Sequence, residues 1–336
     1  MRALARIIVC ATAGVLAATG MADAKAKITT FDPAGSQATS ANGINNNRTI
    51  SGSYIDAEAV THGFVRTADG TIASFDPAGS INTFAYGINA GGDVVGDYED
   101  GGGAYHGFVR TSGGTFAIFD PAGSTGTNAF AINDAGATTG YYTDSAGAYH
   151  GFVRAADGTI TSFDPPGSER TGASGINAKG TITGNYDGSD GLAHGFIRAP
   201  GGEITSFDPP KSLSTSPSGL NDKGVVAGSF AKCGHEGCET FTHGFVRASD
   251  GRITHFDPAG STSTNTAALN KAGVIAGFFV GKDQVHGFLR DRDGTFTTFD
   301  PKGSGYTAPS AINDEGAVTG SYQDANLVAH GFVRTP

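Results

Sequence analysis

Residues 106–121 read His-Gly-Phe-Val-Arg-Thr-Ser-Gly-Gly-Thr-Phe-Ala-Ile-Phe-Asp-Pro. Two short β-prone runs are separated by a Gly-Gly turn. Each of the two runs occurs seven times. His-Gly-Phe begins at His62, His106, His150, His194, His243, His286 and His330, and Phe-Asp-Pro begins at Phe31, Phe75, Phe119, Phe163, Phe207, Phe256 and Phe299. The Phe-Asp-Pro copies are spaced 44, 44, 44, 44, 49 and 43 residues apart. A fixed period in the forties is the mark of a propeller or a solenoid array.

Each period reads as four short strands, which in the second copy are 83–89, 93–98, 105–111 and 115–120. Asn-x-x-Gly, a Gly- or Asp-rich loop, and Asp-Gly or Gly-Gly separate them. Four strands in such a period make one propeller blade, and no helical 3.6-residue periodicity persists in the chain beyond its first residues. The expected fold is therefore all-β: a seven-bladed β-propeller with four-stranded blades at 37–80, 81–124, 125–168, 169–212, 213–261, 262–304, and 305–336 plus 25–36. In this reading the strand ending in Ile-Asn or Leu-Asn is innermost and the Phe-Asp-Pro strand is outermost. Asn45-Asn46-Asn47-Arg48 departs from the Asn-x-x-Gly turn, so either Arg48 is strained or that turn differs.

The chain starts with Arg2 and Arg6, continues with an apolar run from Ile7 to about Thr19, and then offers Ala22-Asp23-Ala24. This is the pattern of a secretory signal peptide over residues 1–24, and the run is too short to span a membrane comfortably. It leaves 25–336 as one domain that is secreted or periplasmic. Lys25–Ser36 then holds only the last strand of a repeat, and the chain ends just after Arg334. The two ends together rebuild one repeat, so the N-terminal strand is expected to pair with His330–Arg334 and close the ring. Closure removes exposed sheet edges.

The formal charge of the 336 residues is −10, and without 1–24 it is 20 − 31 = −11. No basic stripe is present, which argues against nucleic acid as a partner. No segment after the leader suits membrane insertion, and a monomer is expected.

A residue present once per blade is most simply structural, because catalysis needs one site. The expected network joins His62, His106, His150, His194, His243, His286 and His330 and Arg66, Arg110, Arg154, Arg198, Arg247, Arg290 and Arg334 to Asp32, Asp76, Asp120, Asp164, Asp208, Asp257 and Asp300. It would satisfy polar groups buried between strands. Paired Phe residues, such as Phe108 and Phe119, would pack between blades. Cys233 and Cys238 flank the one long loop, and in an exported chain they are expected to form a disulfide.

Specific function is expected where the copies disagree, on the face carrying the loops before His-Gly-Phe. The ligand-binding candidates there are Tyr105, Tyr149, Asp100, Asp144, Phe84 and Tyr86, with Phe130 nearby. The loop aspartates Asp56, Asp100, Asp144 and Asp324 could offer oxygens to Ca²⁺, although Asp capping a turn is the commoner cause of such a position. No catalytic residues and no cofactor are assigned. Asp93, Asp97, Glu99 and His255 are scattered departures from the repeat.

The pattern A-x-G-I-N-x-x-G-x-[IV]-x-G-x-Y … H-G-F-[VIL]-R-x-x-[DG]-G resembles the bacterial HAF-type extracellular repeat over all seven units. Gly63, Gly107 and their equivalents stand where that family carries Ala. The resemblance implies an exported β-propeller-like array with no established catalytic activity. Residues 158–163 also resemble a strand of streptogramin lyase propellers, whose Trp-containing segments are missing here. The expected function is a non-catalytic binding or scaffold module for a glycan, a peptide or an envelope protein. The alternatives are a polysaccharide lyase or hydrolase, and a calcium-stabilised structural surface protein.

Overall fold

The computed structural model describes residues 26–233 and 240–336. The leader expected at 1–24 and Cys238 lie outside the described residues. The fold is all-β, with 28 strands among the described residues. One pairing pattern recurs. In the first unit Ala38–Ile44, Ile50–Ile55, Thr61–Arg66 and Ile72–Phe75 pair antiparallel in that order. In the second unit the strands are Ser80–Ile88, Val94–Asp100, Tyr105–Arg110 and Phe116–Phe119. The first strand here begins at Ser80, one residue before the unit boundary drawn from sequence. The last unit runs Tyr306–Ile312, Val318–Gln323 and Ala329–Thr335, and its fourth strand is Lys27–Phe31. Lys27 faces Thr335 and Phe31 faces Gly331 in an antiparallel ladder.

Some units are also joined sideways. Single parallel bridges at Tyr149↔Arg170, Ala193↔Ser214 and Val285↔Tyr306 merge neighbouring four-stranded sheets. Each links the start of a His-Gly-Phe strand to the start of the next unit's first strand.

The hairpin register explains the motif. Gly63 lies opposite Phe75, and Gly107 opposite Phe119. A Cβ at Gly107 would sit 2.8 Å from the Phe119 ring. Glycine is required because the Phe-Asp-Pro ring lies flat over that position. The motif Phe points to the other face. Phe64, Phe108, Phe152, Phe196, Phe245, Phe288 and Phe332 are fully buried. Each meets the Phe-Asp-Pro ring of the preceding unit edge-on: Phe75–Phe108 at 6.1 Å and Phe119–Phe152 at 5.8 Å. Phe108 and Phe119 were expected to pair with each other, but being on opposite faces of one hairpin they pack into different unit boundaries.

A second set of contacts runs through the turns after the first strands. Asn45 Nδ2 donates to the Asn89 carbonyl at 3.1 Å, Asn89 to Asn133, Asn133 to Asn177, Asn177 to Asn221, Asn221 to Asn270, Asn270 to Asn313, and Asn313 back to Asn45 at 3.0 Å. Each Oδ1 meanwhile accepts the N–H four residues on, as from Thr49 and Ala137. The amide accepts through Oδ1 and donates through Nδ2, two separate atoms, so an ionised Asp could cap the turn but would have no proton to give to the circle. All seven side chains are buried.

Arg48 keeps the turn of its siblings. Its N–H reaches the Asn45 carbonyl at 2.9 Å, and its φ is 58° where the equivalent Gly92 has 85°. A left-handed L-residue costs about 1–2 kcal/mol, partly offset by a stiffer unfolded chain. The exposed Arg48–Glu315 pair at 3.7 Å returns little. Arg48→Gly should therefore raise the unfolding free energy by about 0.5–1 kcal/mol. Denaturant melts will read this as a higher midpoint at unchanged slope, and a loss of stability would show that the arginine contact outweighs the backbone.

Candidate functional site

The repeated polar residues are engaged in the fold. His62 Nδ1 lies 2.7 Å from Asp76 Oδ2, and its Nε2 lies 3.1 Å from Asp56 Oδ2. The same arrangement holds at His106 with Asp120 and Asp100, and at His150 with Asp164 and Asp144. At the ends of the chain, His330 pairs with Asp32 at 2.7 Å. The remaining Phe-Asp-Pro partners are Asp208 for His194, Asp257 for His243 and Asp300 for His286. Tyr54, Tyr98 and Tyr142 lie against their own unit's imidazole at 5.1–5.2 Å.

The other oxygen of the Phe-Asp-Pro aspartate often reaches the following unit. Thr127 Oγ1 donates to Asp120 Oδ1, and Thr39 to Asp32, both at 2.6 Å. This threonine, seven residues after the Asp, was not picked out from sequence.

One expectation needs correction. The arginines do not join the His–Asp pairs. Arg110 lies over the Phe75 ring of the preceding unit at 4.7 Å, and Arg66 over Phe31 at 4.7 Å. Nη1 of Arg110 donates to the Thr111 carbonyl, while its Nε is buried without a partner. The guanidinium is planar and weakly hydrated, so it stacks on a ring at the unit boundary. Asp100 and Asp144, offered above as ligand groups, are engaged by their own loops. Asp100 Oδ1 accepts the N–H groups of Gly102 and Ala104, and Oδ2 faces His106. Asp144 does the same with Ala146, Ala148 and His150. Both carboxylates close their own loops, as do Asp56 and Asp324. Among the described residues no group of three His, Cys, Asp or Glu is placed to hold a metal ion.

This geometry sets a pH dependence. At His106, His150, His194 and His286 the hydrogen bond to the Phe-Asp-Pro aspartate, helped by the loop aspartate, raises the pKa above its ordinary value. At His62 burial is the largest influence and opposes this, but Asp76 and Asp56 outweigh it. A raised folded-state pKa means stability that is fully present below about pH 6.5 and lost as pH rises through the folded value. Asp56, Asp100 and Asp144 are lowered, chiefly by backbone N–H donors, so their contribution is present above about pH 4 and lost below. The melting temperature should peak near pH 5–6 and fall steadily toward pH 8.5. A flat profile over that interval would show that folding leaves the imidazole pKa values where they are in the unfolded chain.

The aromatic candidates do converge. Phe84 lies 6.3 Å from Tyr105. Tyr86 meets Phe130 at 5.1 Å, Phe130 meets Tyr141 at 5.6 Å, and Tyr141 stacks on Tyr149 at 5.1 Å with planes 22° apart. Arg170 covers the far side of Tyr149 at 5.1 Å. The ladder spans units two to four, and its far end opens into a cavity of about 290 Å³ lined by Phe130, Tyr141, Tyr149, Arg170, Asn185 and Asp187. Tyr141, Asn185 and Asp187 were missed from sequence. They sit in second strands, at positions where the other units have Ser53, Asp97, Ser229, Phe278 or Ser321 (for 141 and 185) and Ile55, Glu99, Thr143, Ala231, Val280 or Gln323 (for 187).

Asp97 occupies that same serine position in unit two. Ser53 Oγ accepts the Ala85 N–H at 2.9 Å, and Ser229 Oγ accepts the Thr266 N–H at 2.8 Å. Asp97 is 1 % exposed and neither oxygen has a partner in hydrogen-bond geometry. Burial pushes its pKa up to about 7, only partly opposed by the Asn128 amide and the Ala129 N–H alongside. Burial, with Asp97 next in order, also pushes the Tyr86 hydroxyl far up.

A second cavity, of about 260 Å³, opens at the asparagine circle. Its charged groups are already matched. Asp134, Asp222 and Asp314 accept the N–H groups of Ala90, Ala178 and Lys271, and the Lys271 ammonium lies 3.3 Å from Asp314 and 3.8 Å from Asp222.

Solved structures similar to this one are β-propellers. The β-propeller domain of the Trilobed protease from Pyrococcus furiosus matches with a TM-score of 0.63 at 10% identity, over 89% of this chain and 95% of that one. A catalytically inactive virginiamycin B lyase from Staphylococcus aureus, with quinupristin, matches at 0.62 and 13% identity, over 93% of this chain and 100% of that one. YCF48 bound to D1 peptide matches at 0.53 and 9% identity, over 92% and 96%. At such identities the likeness is one of fold. No family model and no curated protein sequence matches the chain.

Proposed function

We propose that this chain is an exported seven-bladed β-propeller, closed by Lys27–Phe31 on Ala329–Thr335, that binds a ligand without transforming it. The partner class is a glycan, a peptide or an envelope protein. The observation that carries this reading is the aromatic ladder from Tyr86 to Tyr149, because it lies where the units differ. The repeated His and Asp residues, by contrast, are engaged in the fold. The continuous circle of asparagine hydrogen bonds supports ring closure, and the propeller structures to which the chain is similar support the scaffold. The HAF-type repeat and the signal peptide belong to the same reading. So does a Cys233–Cys238 disulfide, since Cys233 is not a free thiol.

A polysaccharide lyase or hydrolase is the second reading, favoured by Asp97, a buried carboxyl with a pKa near neutrality. Its 1 % exposure keeps it from touching a ligand in this conformation. The test is a screen of the protein starting at Lys25 against glycans and peptides, with and without Ca²⁺. Binding without product formation is expected. Turnover of any polysaccharide would replace this reading by the second.

A further inference from the structure

We infer that the cavity between units three and four is a subsite for one neutral pyranose ring of a glycan. This rests on the binding reading above and names the ligand class.

The polar side chains at this cavity are unspent. Arg170 and Asp187 face each other across adjacent strands, yet no ion pair joins them among the described residues. Arg170 instead lies over Tyr149. Asp187 therefore keeps a partly exposed carboxylate without a hydrogen bond from the protein, and the Asn185 amide beside it is likewise unused. The contrast with unit two is direct: there Glu99, in the place of Asp187, accepts a hydrogen bond from Asn82 at 2.8 Å. Unit four alone leaves an acceptor-only group and a mixed donor and acceptor side by side, next to the stacked Tyr141–Tyr149 pair.

That combination matches a sugar ring. A carboxylate accepts from two vicinal hydroxyls, an amide both donates and accepts, and the aromatic wall of Phe130, Tyr141 and Tyr149 gives the C–H groups of the ring an apolar contact. A volume of about 290 Å³ is small for an extended peptide but suits a single ring. A peptide adding to a sheet edge would need a free strand there, whereas Ser168–Ile176 is paired with Ile182–Gly188 and bridged to the preceding unit. A uronate would bring its carboxylate against Asp187, and the nearby cation is already stacked on Tyr149.

The test uses the protein from Lys25 to Pro336 and neutral xylo-, cello-, manno- and galacto-oligosaccharides, read by calorimetry and tyrosine fluorescence, with acidic oligosaccharides and a peptide library in parallel. One neutral series is expected to bind. Asp187→Ala should weaken it by about tenfold or more at unchanged melting temperature and Tyr141→Ala by as much at a lower one, while Tyr141→Phe retains most of the affinity and the parent's melting temperature. Neutral-glycan binding untouched by Asp187→Ala and by Tyr141→Ala would overturn this subsite and leave the binding function standing. Binding only to peptides or to acidic glycans would overturn the ligand class. No binding to any probe would overturn both.

Discussion

Asp97→Ser should raise the unfolding free energy by about 4 kcal/mol at pH 8 and by roughly half of that or less at pH 5. The carboxyl is buried among Tyr86, Tyr105 and Tyr141 with neither oxygen bonded. Its pKa lies at about 7 against 3.8 for the free side chain. An acid whose folded-state pKa is raised destabilises the fold from the point where the unfolded chain starts to ionise. The cost grows through the window between the two values and is constant above the upper one. Three pKa units correspond to about 4 kcal/mol. Serine removes the charge and supplies what Ser53 and Ser229 supply in their own units, a hydroxyl facing the N–H of the next unit's first strand. Denaturant melts of both proteins at pH 5 and pH 8 read the difference. A gain that does not grow with pH would mean that Asp97 is solvated or paired in solution. The pH dependence that remains in Asp97→Ser is the share of the histidine pairs.

Removal of residues 26–36 should abolish cooperative folding or cost more than about 5 kcal/mol, a large part of a typical domain's stability. The segment contributes a five-residue ladder to Ala329–Thr335. It also contributes the Phe31 ring, which meets Phe64 at 6.1 Å and lies under Arg66, and the Asp32 carboxylate that joins His330 to Thr39. Without it, Phe64 loses a packing partner, and His330 and Thr39 lose their shared acceptor. A buried ring truncated to alanine alone costs about 3–5 kcal/mol. Phe31 is only half-buried, so Phe31→Ala should show part of the loss while leaving the ladder intact. Far-UV circular dichroism and thermal melts of both variants test this. A truncated chain that melts like the parent would show that the ends do not hold the molecule together.

The period, the strand count per repeat and the place of the Phe-Asp-Pro strand were legible because spacing and alternation are one-dimensional signals. So was the structural role of His and Asp, since a group written seven times cannot be one site. The partner of Arg was not legible. His, Phe and Arg alternate onto one face of their strand, but whether that face meets an aspartate or a ring depends on how one unit stacks on the last. The same limit applied to Phe108, whose partner Phe75 comes from the preceding repeat.

The candidate site divides in the same way. Phe84, Tyr86, Tyr105 and Tyr149 stood out as aromatics that break the repeat. Asp100 and Asp144 stood out equally, but their loops consume them. Tyr141, Asn185, Asp187 and Arg170 come together only because adjacent units place their first and second strands against each other.

By itself the sequence determined a repeated four-stranded β unit, its turns and the residues that frame it, since those follow from local alternation and backbone preference. Tertiary structure alone decided that seven asparagines hand a hydrogen bond around a circle, that arginine lies on phenylalanine, and that one carboxylate is left buried without a partner. Each of these depends on the distance between units, which is set by packing rather than by any single segment of chain.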